Sequence, residues 1–219
     1  MKEKTQKGKV FEKNFEVDFL ISLNNMTIIN LKKKYIFLAN PKTGSTSVHT
    51  LLNDEESIIR RNSKKEKPFG KHDTYLQVKN YLSSINLNIN DFFIFGFIRE
   101  PIGRMKSVIN HLLNSKRKEE AKTLMKNDWK QFMTYVEEHL FYSVEKMFFD
   151  ENNQLPHNVH ILKMENMEQE LQKIFKVIKK KRKTCHKNKG QYIFKEQLSD
   201  EVINLIKDRF LRDWIYYYS

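Results

Sequence analysis

The chain has 219 residues, enough to bury one core of ordinary size. Forty Lys and Arg stand against 27 Asp and Glu, and the surplus of +13 favours anionic partners (nucleotides, acidic glycans, nucleic acid or membranes) without choosing among them. A single cysteine, Cys185, excludes an intrachain disulfide and suits a reducing compartment; no apolar run is long enough to span a bilayer and the polar N-terminus lacks a signal-peptide core, so a cytoplasmic protein is expected.

In chain order, residues 1–13 are lysine-rich and poor in apolar side chains, which predicts a flexible arm, and residues 14–219 read as a single domain without internal repeats. Residues 26–31, the lysine turn at 32–34 and the strand beginning at Tyr35 predict a hairpin at a sheet edge. The apolar run at 35–39 leads directly into Pro41-Lys42-Thr43-Gly44-Ser45-Thr46-Ser47 and then into a helical pattern. Residues 54–67 read as a charged connector, 74–82 as a helix and 86–90 as a turn. Residues 92–98 are continuously apolar, as in a parallel strand buried on both faces, and the strand is expected to end at Arg99. Pro101 opens a helix whose apolar stripe is Met105, Val108, Ile109, Leu112 and Leu113, with Arg104, Ser107 and His111 on one side next to that stripe. Helical period returns at Trp129, Phe132, Met133, Val136 and Leu140, and again at Leu171, Ile174, Phe175 and Ile178 after a cap at Asn166. A basic run at 179–183, extending to Lys187 and Lys189, reads as a solvated loop or as a nucleic-acid patch. The last helix starts at Ser199, with Leu198 and Ile203 spaced as a hydrophobic staple.

The loop at 41–47 carries the chemistry. A strand, a hydroxyl-rich turn containing one glycine and a helix start together suit an anion: Gly44 allows a tight backbone path, the loop amides converge, and the helix N-terminus adds partial positive charge. Lys42 supplies a cation, and Thr43, Ser45, Thr46 and Ser47 supply four hydroxyls. The nucleotide loop GxxxxGK[ST] places its lysine after its last glycine, whereas Lys42 precedes Gly44, so this is a different loop. It resembles the 5′-phosphosulfate loop of sulfotransferases that use 3′-phosphoadenosine 5′-phosphosulfate. The run from Arg99 through Pro101 to Ser107 looks like the 3′-phosphate motif of the same family, and the resemblance implies that Arg99 and Ser107 bind the 3′-phosphate. Gly70-Lys71-His72-Asp73-Thr74 resembles the segment carrying the catalytic histidine in the carbohydrate branch that 2-O-sulfates heparan and dermatan. Residues 159–167 resemble a strand and turn of that family, residues 188–217 its closing helix and aromatic tail, and Lys189-Gly190 the basic loop that closes over the nucleotide. The resemblance covers about residues 33–218. It implies a P-loop-like three-layer α/β fold with a central, mostly parallel sheet flanked by helices, a nucleotide sulfate donor, and an acceptor hydroxyl on a saccharide.

Sulfuryl transfer requires an acceptor proton removed, charge on the leaving phosphate stabilised and the reacting oxygens held in line. His72 suits the base because imidazole titrates near neutrality; Glu66 and Asp73 are the alternatives. Lys42 suits the bridging oxygen. His49 and His111, on the helices after the two phosphate motifs, are placed to contact ligand. No His/Cys spacing for zinc and no carboxylate pair for magnesium stands out, so no metal is expected, and no nucleic-acid partner is expected either. Two other readings are a P-loop-like small-molecule kinase, disfavoured by the missing GxxxxGK[ST], and a non-catalytic basic polyanion-binding protein.

Overall fold

A computed structural model describes residues 27–52, 58–59, 72–181, 193–194 and 196–219. Among these the chain forms an α/β fold around a sheet of order β3-β1-β2-β4-β5. The lysine turn joins β1 (Ile28–Asn30) to β2 (Tyr35–Leu38) as an antiparallel hairpin, with Lys34 in left-handed backbone at φ 51°. The hairpin is not the sheet edge, because β3 (Ile58–Ile59) pairs antiparallel outside β1. That strand lies within the segment read as a charged connector; two residues are too few to show a strand period. β2 runs parallel to β4 (Phe93–Ile98), and β4 parallel to β5 (Val159–Lys163). Three of the five strands are therefore mutually parallel, and the antiparallel pairings are confined to the β1 side.

Alternation along these strands feeds two cores. Tyr35, Phe37, Phe95 and Phe97 face helices α1 (Ser45–Leu52) and α7 (Met167–Val177), against Val48, Leu52, Leu171 and Phe175. Ile36, Leu38, Ile94 and Ile98 face the opposite way, against Tyr75, Val78 and Leu82 of α2 (Tyr75–Ser84) and Met147 and Phe148 of α6 (Val144–Phe148). A third cluster joins α3 (Pro101–Leu113), α4 (Lys118–Asn127), α5 (Trp129–His139) and α8 (Asp200–Arg209) through Val108, Leu112, Ala121, Phe132, Val136 and Ile206. The final helix, α9 (Leu211–Tyr218), lays Tyr216 and Tyr217 on the second core.

Most boundaries have legible causes. Thr74 caps α2 in a capping box with Gln77. The turn before β4 uses Asn86 in left-handed backbone at φ 59° and a short 3-10 turn, Ile89–Asp91. β4 ends at Ile98, one residue before the expected Arg99, and Pro101 is the first residue of α3. Ser199 caps α8 through the Val202 amide, and Leu198 and Ile203 join the same cluster. Asn166 stands at the cap position of α7 but its side chain makes no capping bond there. Among the described residues no helix is long and apolar enough to cross a membrane.

Candidate functional site

The loop after β2 turns sharply at the carboxyl end of the sheet. The Asn40 amide donates back to the Leu38 carbonyl at 3.0 Å, and Lys42 and Gly44 both take left-handed backbone, at φ 63° and 78°. Glycine does so without steric cost, whereas a lysine there is held by its surroundings. Gly44 has a second constraint, since a Cβ would stand 2.5 Å from Met167 Cε at the start of α7. Its carbonyl accepts from the Ser47 and Val48 amides, and α1 starts at Ser45 with no acidic residue in its first turn. The Ser45 and Thr46 amides ahead of these bonds have no acceptor within the helix, and the helix dipole is positive there.

The expected hydroxyls divide into two sets. Thr43 is buried and its Oγ1 donates to the Asn40 carbonyl at 2.9 Å, so this side chain holds the turn instead of facing a ligand; Ser45 is buried as well. Thr46 is exposed, and Lys42 and Ser47 are half-buried at the loop surface.

Beneath the loop lies a residue to which the sequence reading assigns no role. Arg104, placed next to the apolar stripe by helical spacing, lies there one turn from Pro101 and Val108, but it is 1% exposed. Its guanidinium donates to the Pro41 carbonyl at 3.1 Å, Asn40 Oδ1 at 2.6 Å, the Tyr142 carbonyl at 2.9 Å and Asp213 Oδ1 at 3.2 Å, and stacks 4.0 Å from the Phe141 ring centroid. Asn40 in turn donates from Nδ2 to the Phe97 carbonyl on β4, and Asp213 Oδ2 accepts from the Val144 amide. One buried cation therefore ties the Lys42 loop to α3, α6 and α9. Burial shifts both partners toward neutrality, Arg104 down to about 10 and Asp213 up to about 6, in each case against their mutual attraction.

The second motif starts at the end of β4. Leu38 pairs with Gly96 in parallel register, so the loops after β2 and β4 emerge side by side at the same sheet edge. Glu100 caps α3, accepting from the Ile102 and Gly103 amides at 2.9 and 2.5 Å. The N-terminus of α3 is thus satisfied by its own carboxylate. Arg99 is half-buried; the position of a Gly103 Cβ lies 3.6 Å from Arg99 Nε and 3.8 Å from its Nη2, which puts the guanidinium over the bare face of Gly103. Gly103 and Ser107 are one turn apart on that face, so Arg99 and Ser107 share it. One turn beyond, Asn110 Oδ1 accepts from the Ile193 and Phe194 amides at 2.7 and 2.8 Å, which fastens the chain just beyond the basic run onto α3. Lys189 and Gly190, together with Glu66, Gly70 and Lys71, lie outside the described residues.

His72 completes the arrangement. Its Nδ1 lies 2.6 Å from the Ala39 carbonyl, and because a carbonyl only accepts, Nδ1 carries the proton and Nε2 is the basic nitrogen of the neutral ring. The ring meets Tyr142 edge-on, with centroids 6.5 Å apart. Tyr142 also supplies the carbonyl bound by Arg104, so His72 and the loop share one support. Asp73, the alternative base, is buried, with its amide bonded to Thr27 Oγ1. His49 is half-buried on α1 and His111 is exposed on α3. Among the described residues no group of three or more His, Cys, Asp or Glu is placed to hold a metal ion. A separate pocket of about 290 Å³ opens between α4, α5 and the start of α8, against Trp129, Phe194 and Leu198.

No protein-family model, curated protein or solved structure matches the chain.

Proposed function

We propose that the chain is a sulfotransferase of P-loop-like fold, moving a sulfuryl group from 3′-phosphoadenosine 5′-phosphosulfate to an acceptor hydroxyl, with a saccharide as the first acceptor class to test. The observation that carries this reading is the parallel pairing of β2 with β4, which sets the Lys42 loop beside the Arg99 and Ser107 face, with His72 hydrogen-bonded to the strand end that feeds the loop. Ligands of open α/β sheets bind at such carboxyl ends. The donor set fits a nucleotide with two separated anionic groups: the Ser45 and Thr46 amides at the start of α1, with Lys42, Thr46 and Ser47, for one, and Arg99 and Ser107 for the other.

The bound nucleotide supplies the sulfuryl group: an acceptor O–S bond forms, the S–O bond to the 5′-phosphate breaks, and its electron pair stays on that phosphate. In this reading His72 Nε2 takes the acceptor proton, Lys42 offsets charge that grows on the phosphate, and the α1 amides hold that phosphate without reorganising. Arg104 touches no ligand; it positions the loop through Asn40 and Pro41.

The deciding experiment is calorimetric titration with adenosine 3′,5′-bisphosphate beside ATP. One-site binding of the bisphosphate with much weaker ATP binding supports the reading, and no bisphosphate binding overturns it. The net charge of +13 favours a second reading, a non-catalytic binder of polyanions. Its mark would be steeply salt-dependent heparin or nucleic-acid binding that the bisphosphate does not compete away.

A further inference from the structure

Helix α9 has one face that nothing among the described residues covers. Leu211, Ile215 and Tyr218 are 56%, 54% and 56% exposed, and half-buried Trp214 stands with them, giving the i, i+3, i+4, i+7 spacing of an apolar stripe. The helix cannot roll to hide that stripe. Its other face is fixed by Asp213 on Arg104 and by Tyr216 against Phe149, with ring centroids 5.6 Å apart.

Cations border the stripe. Lys207 Nζ lies 4.8 Å from the Trp214 ring centroid, Lys163 Nζ lies 5.3 Å from that of Tyr217, and Arg212 follows Leu211 along the other border, paired with Glu145. Two carboxylates stand at the far end, Glu100 at the Tyr218 hydroxyl and Glu165 at that of Tyr217, and Glu100 is engaged in the α3 cap. Aromatic rings that are wet at one end, beside aliphatic stems ending in ammonium or guanidinium, match the boundary between acyl chains and anionic headgroups. A second copy fits less well, because a two-fold contact through this face sets these same cations against one another in a chain of +13.

We infer that the α9 face seats the protein peripherally on an anionic bilayer. Because α9 is joined to Arg104 through Asp213 and to Glu100 through the Tyr218 hydroxyl, at 3.5 Å, the membrane would lie beside the carboxyl end of the sheet. The inference rests on the α9 face and the cations that border it, and holds whether or not the chain transfers sulfate.

The test is co-sedimentation of the full chain with vesicles of phosphatidylglycerol and phosphatidylcholine, beside vesicles of phosphatidylcholine alone. The wild type should sediment with the anionic vesicles only, and Leu211→Glu/Ile215→Glu should lose at least about tenfold in partitioning, through lost apolar contact and added repulsion. The thermal midpoint and bisphosphate titration of the double variant should be unchanged, since both side chains point to solvent. Absence of wild-type binding overturns the inference. So does equal binding by the double variant, which would assign the attraction to the basic surface in general. A wild-type dimer in sedimentation equilibrium that the double variant dissolves would overturn it in favour of a second copy. Failure of bisphosphate binding with vesicle binding intact would count against the transferase reading alone.

Discussion

Lys42 and Gly44 share the left-handed region, but only the lysine is strained there, by about 1–2 kcal/mol on the usual cost for an L side chain. Lys42→Gly removes both that strain and the charge. Its thermal midpoint should be unchanged or slightly raised while bisphosphate binding weakens at least about tenfold, the usual scale of a charge-assisted contact; a fall in both would make Lys42 structural. Arg99→Ala should weaken the bisphosphate by a similar factor with the fold intact, as judged by circular dichroism. His72→Ala should behave differently. Its bisphosphate affinity should stay within about twofold, while acceptor transfer drops by about 10²–10⁴, the range for losing a general base. Loss of binding in this variant would move His72 from proton transfer to donor recognition.

At the scale of elements, the join between α3 and the chain at 193–194 is the part most open to a direct test. Asn110→Ala removes the acceptor for two amides. If the basic run ahead of Ile193 closes over the nucleotide, this variant should raise the bisphosphate dissociation constant several-fold by calorimetry and leave ATP unaffected; unchanged affinity would detach the run from the site. Elements with strong apolar period were legible in the sequence, among them β2, β4, α3, α5 and α7, because their patterns are set by burial on the sheet or in the helical cluster. Three were not. β3 has two residues and α6 has five, too few to show a period, and α4 carries only a short one, Ala121, Leu124 and Met125, inside a strongly charged stretch. The site divided in the same way. The Lys42 loop and the Arg99 strand end were legible from local order, but Arg104 was not. A buried arginine is defined by the carbonyls and the carboxylate around it, and these come from Pro41, Tyr142 and Asp213, far apart in the chain. The signal available was its place next to the stripe, one turn from Pro101 and Val108.

For the whole molecule, the Arg104 cluster joins more of the fold than any single core contact does. Arg104→Ala leaves two carbonyls, an amide oxygen and a carboxylate without their donor, and should cost about 3–5 kcal/mol, as when one member of a buried pair is removed. Arg104→Lys should not restore it, since an ammonium cannot reproduce the planar fork. The sign with pH follows from Asp213. Its carboxyl is already raised to about 6, and losing the guanidinium raises it further above the unfolded value. A raised carboxyl contributes stability while protonated and loses it as pH rises, so the deficit of Arg104→Ala in urea unfolding should be larger at pH 8 than at pH 5. An equal deficit at both pH values would mean that Asp213 finds another counter-charge.

The same bond between residues 104 and 213 also has a bearing on order in time. A chain leaving the ribosome exposes residues 40–47 early, yet the carboxylate that balances the cation beneath them is made more than a hundred residues after that cation. Until then the Lys42 loop has no settled floor, and a polypeptide arrested before Asp213 holds every ligand-facing side chain proposed for the described loop without the support that shapes it. The nucleotide binding proposed for this loop would therefore report not only that the loop has been synthesised but that translation has passed Asp213.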